Sequence, residues 1–186
     1  MTPALLAAYA EPHRRYHTLA HIEACLAELA AVPNLNVRDE RILRRALWWH
    51  DAIYDPRAND NEARSADWAR AELDLPPDER DEVVRLILLT AGHRVETGDR
   101  LGALMVSIDL SVLGASAGIY DAYATEVRCE YAHVPDEAFR AGRARVLQYF
   151  LNAEVLFPDR AFAARLDGQA RANLARELAE LGTPPA

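Results

Sequence analysis

Apolar residues recur at intervals of three and four along most of this chain, and nowhere do they alternate with polar ones long enough to build a strand. Ile22, Leu26 and Leu29 form one stripe, Ile42, Leu43, Leu47 and Trp48 a second, and Val83, Leu86, Ile87 and Leu89 a third. Val146, Leu147, Phe150 and Leu151 follow, then Leu174, Leu178 and Leu181. Each set shares one face of a helical turn, so each predicts an amphipathic helix with one side to bury. Turn-forming runs separate them: AVPN at 31–34, DPRAND at 55–60, LPPDER at 75–80, AGHRVETGD at 91–99 and HVPDE at 133–137. Asp78 or Asp81 is expected to cap the helix carrying LILL, and Asp136 the one carrying VLQYF. No fixed-period repeat and no linker is visible. The expectation is one compact all-α domain over residues 1–186, with about seven to ten helices.

Composition narrows what such a bundle does. Hydrophobic residues make up 51% of the chain, enough to fill a core and to exclude disorder as its main state. All 21 basic residues are arginine; the absence of lysine excludes Schiff-base chemistry and a P-loop lysine but leaves forked contacts to phosphate open. Against 29 acidic residues the net charge is −8, which argues against bulk affinity for a nucleic acid polymer or an anionic membrane. No apolar run approaches the roughly 20 residues of a membrane span, and no basic-then-apolar leader opens the chain. A soluble, cytoplasmic protein is expected. Cys25 and Cys129 are too few and too far apart for a disulfide scaffold or a thiolate zinc cluster, and both are expected to be buried as small apolar residues.

The six histidines are unevenly placed. His13, His17 and His21 follow one another at four-residue spacing in PHRRYHTLAHI, so on a helix His17 and His21 share a face. In WWHDAIYDP, His50 and Asp51 adjoin just before a turn signal at Asp55-Pro56. A helix ending there buries Trp48 and Trp49 and leaves an imidazole and a carboxylate in its last turn. That pairing offers a nitrogen and a hard oxygen to one borderline cation. Asp109 stands between Ile108 and Leu110 in MVSIDLSVLG. A carboxylate in so apolar a stretch needs a partner, whether an arginine, backbone donors or a metal.

Histidine, then His-Asp, then an aspartate within an apolar helix is the order H…HD…D, and with it this chain resembles the HD superfamily of metal-dependent phosphohydrolases. The resemblance runs through RRYHTLAHI, LWWHDAIYDP, NDNEARSA, LILLTAGH, IDLSVLG, YATEVRCEYAHV and FRAGRARVLQYFL, which is most of the chain, and is nearest to the small bacterial branch. It implies an HD-type helical domain holding one divalent ion (Mn, Fe, Co, Ni, Zn or Mg) through His21, His50, Asp51 and Asp109. Of the two candidates for first ligand, His21 fits better, because the apolar face of HIEACL follows it directly. His17 would then face the open side of the site. Where relatives often carry a further acid two residues before the last ligand, this chain has Ser107, which weakens any case for a second metal.

The resemblance also implies the reaction. A metal-activated water would hydrolyse a small phosphorylated substrate, a phosphate ester or nucleotide, with Asp51 at the catalytic centre. Glu62, preferred over Asp55, would move the proton from the start of the next helix. Arg14, Arg15, His17, His93 and Arg128 would bind the substrate's phosphate, with His93 alternatively an outer ligand; Glu130 and Tyr131 are further candidates for the pocket. A single His93 between His50-Asp51 and Asp109 favours a mononuclear hydrolytic site over a diiron oxygenase. Two other classes stand beside the enzyme: a metal-containing nucleotide-binding or sensing module with little turnover, and a scaffold whose metal is structural. Self-association into a homo-oligomer is compatible with all three.

Overall fold

The structure is a computed structural model, and it describes residues 2–182. Every regular element among them is helical: α1 (Pro3–Ala8), α2 (Leu19–Ala30), α3 (Val37–Trp49), α4 (Asn61–Glu72), α5 (Pro77–Leu89), α6 (Arg100–Asp109), a 3-10 helix (Leu110–Gly114), α7 (Ala117–Glu130), α8 (Asp136–Asn152) and α9 (Arg160–Gly182). The all-α expectation holds. Contacts divide the chain into two compact units, one ending at Asp109 and one beginning at Leu110. No single helix among the described residues is long and apolar enough to cross a membrane.

The first unit is organised around α3, which packs against α2, α4, α5 and α6. Its start is set by Asn36, whose side chain accepts from the Asp39 amide at 2.8 Å, with Asp39 and Glu40 in the first turn complementing the positive end of the helix. Ile42, Leu43, Ala46 and Leu47 are fully buried, and Trp48 and Trp49 extend that burial to the end of the helix. Trp49 meets Trp68 of α4 edge to face at 5.1 Å, within the range such rings favour. The helix carrying LILL is not capped by Asp78 or Asp81. Pro76 is its N-cap and Pro77 its first residue, because a proline's fixed φ and missing N–H suit that position. Asp78 sits in the first turn and pairs with Arg38 at 2.9 Å.

In the second unit α9 packs against the 3-10 helix and against α8. Asn173 of α9 donates to the carbonyls of Leu113 and Ala115, both at 2.9 Å, satisfying groups a short 3-10 helix leaves open. Gly114 lies so close that a Cβ there would come within 2.5 Å of Leu166 Cβ. Pro135, not Asp136, is the N-cap of α8, and Asp136 takes the first helical position. Cys25 is buried as expected, but Cys129 is exposed. On α7 Tyr120 and Val127 face inward, and Cys129, two positions on, lies about 200° round the helix from Val127.

Candidate metal centre

Three helix ends of the first unit meet at one point. The buried tryptophans fix the rotation of the last turn of α3, and His50 caps it, itself buried. Its Nδ1–H donates to the Leu47 carbonyl one turn back, at 2.9 Å, which leaves Nε2 as the nitrogen offered outward. Asp51 follows, and despite the i, i+1 offset its Oδ2 lies 3.1 Å from His50 Nε2. His21 enters from the first turn of α2, also buried, and Asp109 is the last residue of α6.

The donor atoms have the spacing of ligands around one ion. His21 Nε2 is 3.3 Å from His50 Nε2, 3.6 Å from Asp51 Oδ2 and 3.3 Å from Asp109 Oδ1. His50 Nε2 is 3.3 Å from Asp109 Oδ1. Neighbouring donors at ligand distances of ~2.0–2.2 Å and tetrahedral or octahedral angles stand roughly 2.8–3.6 Å from each other. Four donors at such spacing can hold a metal ion, and His21, His50 and Asp51 alone already form a competent cluster.

The electrostatics point the same way. Burial alone would raise the Asp51 and Asp109 carboxyls, but facing imidazoles, His50 foremost, hold both below the ordinary carboxylate range. Burial likewise disfavours charge on His50, yet Asp51 and Asp109 lift it well above an ordinary imidazole. Two largely enclosed carboxylates, 18% and 13% exposed, thus favour positive charge between them, and a cation at the same point meets that demand. Cys25, one turn after His21, has its Sγ 3.8 Å from both ring nitrogens. Burial and then the nearby Asp109 and Asp51 push its pKa well up, and with His21 and Asp109 it forms a second group that could hold an ion.

The remaining expected site residues divide. His93, held at φ 53° beyond the end of α5, brings Nε2 to 3.1 Å from the second Asp109 oxygen, Oδ2. His17 stacks on Tyr54 at 4.1 Å and stands edge-on to the His21 ring at 6.1 Å. Arg15 is exposed on the same segment. Glu62 begins α4 beside Asn61, which exchanges hydrogen bonds with the Asp55 backbone, while Ser65 accepts from the Ile53 amide. The start of α4 is therefore pinned to the loop that follows Asp51. Arg14 is not a phosphate ligand: it is buried, and its guanidinium donates to Glu11 and to the carbonyls of His17, Asp51 and Ala52. Arg128 belongs to the second unit, where it closes the end of α7 through Tyr131 O, Val134 O and the Asp136 carboxylate.

Tyr54 escaped the sequence reading, although it stands four residues after His50. Besides stacking on His17 it accepts, through its carbonyl, a hydrogen bond from His13 Nε2 at 2.6 Å. A tyrosine near a turn carries no periodic signal that separates this role from ordinary packing. Comparison with protein-family models, with curated proteins and with solved structures returns no match.

Proposed function

We propose that the chain is a metal-dependent phosphohydrolase that takes one divalent ion at His21, His50, Asp51 and Asp109 and hydrolyses a small phosphate ester or nucleotide. The convergence of these four donor atoms from three helix ends carries the reading. Two imidazoles with two carboxylates suit Mn, Fe, Co, Ni or Zn better than Mg, which prefers oxygen alone. When bound, the ion supplies a nucleophile at neutral pH and polarises a phosphoryl oxygen.

The chain's own residues do the rest. His93 holds Asp109 Oδ2 at 3.1 Å, which fixes the orientation of the carboxylate that would offer its other oxygen to the ion. Arg15 and His17 supply donors to the non-bridging phosphate oxygens, where negative charge builds during displacement. Glu62, in the first turn of α4, moves the proton. The placement of α4 against the loop after Asp51 supports that assignment.

The test is metal analysis of the purified protein together with phosphate release from a panel of nucleotides and phosphomonoesters, each assayed with each metal. One bound divalent ion per chain and metal-dependent release that a chelator abolishes are expected. A bound ion with no release from any substrate would mean a binding or structural centre instead.

A further inference from the structure

Arg14 sits in the loop between α1 and α2, yet its side chain is 0% exposed. Arginine is almost never so buried without full pairing. Four of its five N–H groups are accounted for: Nε donates to Glu11 Oε2 at 3.1 Å, Nη1 to His17 O at 3.0 Å and to Asp51 O at 2.6 Å, and Nη2 to Ala52 O at 3.0 Å. The Tyr9 and Tyr54 rings lie 5.1 and 5.6 Å from the guanidinium carbon. His17 immediately precedes Thr18, the N-cap of α2, and Asp51 and Ala52 immediately follow the His50 cap of α3. One side chain therefore grips two of the three helix ends that carry ligands, those of α2 and α3. It meets carbonyls just past a helix C-terminus, where cations are favoured.

We propose that Arg14 is a positioning residue of the metal centre: by tying the Asp51 backbone to the backbone just before α2, it holds the Asp51 carboxylate and the His21 imidazole at the 3.6 Å spacing a shared ion requires. The inference rests on the metal reading above. Lysine cannot replace it, because a single ammonium cannot donate to carbonyls on two segments as the forked guanidinium does.

The test is metal affinity, read as the Kd for Zn²⁺ or Co²⁺ by chelator competition in the full chain. Arg14→Lys is expected to weaken binding roughly 10–100-fold, the usual effect of losing a group that orients a ligand. Glu11→Ala, at a side chain 44% exposed and so tolerant of change, releases Nε alone and gives a smaller loss in the same direction. Ile87→Val, in the core of α5, lowers Tm but leaves the Kd unchanged, separating positioning from general destabilisation. Wild-type affinity in both the Arg14 and Glu11 variants overturns the inference alone. If Arg14→Lys does not fold, an unchanged Kd in Glu11→Ala overturns it. A wild-type chain that binds no ion overturns the phosphohydrolase reading and this inference together.

Discussion

Asp51 serves the cluster twice, through a carboxylate aimed at His21 and His50 and through a carbonyl held by Arg14. Substituting the side chain removes only the first. Asp51→Ala is expected to abolish metal content and phosphate release together, whereas Glu62→Ala lowers release roughly 10²–10⁴-fold, the span of a lost proton transfer, with the metal retained. Metal analysis beside the activity assay separates the two, and equal metal loss in both would show Glu62 to be a ligand. Local chemistry made the donors legible in advance: His-Asp at a helix end and an aspartate flanked by Ile108 and Leu110 are both odd enough to need a partner. The role of Arg14 was not legible, because its partners Asp51 and Ala52 lie 37 and 38 residues away and no local pattern marks them. From the sequence, an arginine near a histidine is equally a phosphate contact.

Helices carry their own tests. On α5 the buried Glu79 receives two hydrogen bonds from Arg41 of α3, at 2.8 and 2.6 Å, and that pairing lowers its pKa. A carboxyl depressed in the folded state adds stability above its unfolded value of ~4.3 and loses it as pH falls through the folded value. Glu79→Gln should therefore melt below wild type at pH 7, and the gap should close as pH is lowered below about 4. Thermal melts across that range measure it. In the second unit, Gly114→Ala drives a methyl against Leu166 of α9, within 2.5 Å of its Cβ and 2.9 Å of its carbonyl oxygen. The overpacking should cost about 1–3 kcal/mol in urea unfolding. At this scale the five apolar stripes fall within α2, α3, α5, α8 and α9, although Val146 in the α8 stripe is exposed. The caps were misjudged because Pro76 and Pro135 take the N-cap positions of α5 and α8, and Asp78 and Asp136 fall inside the first turns.

Across the whole molecule the net charge of −8 bears on the choice of ligand. A polyanion is repelled by such a surface, while one phosphate group needs only a few donors near the cluster. Hydrolysis of a mononucleotide should therefore be unaffected by excess single-stranded oligonucleotide at about 0.15 M salt, the ionic strength at which backbone contacts still count. Strong inhibition that fades steeply with added salt would identify the polymer as the ligand. The order of the donors along the chain also sets a timetable for assembly. During synthesis the three-donor set of His21, His50 and Asp51 is complete once residue 51 has been made. Asp109 comes about 58 residues later, a delay of roughly 3–12 s at ~5–20 residues per second. On the metal reading proposed above, translation past residue 109 supplies the last of the four donors.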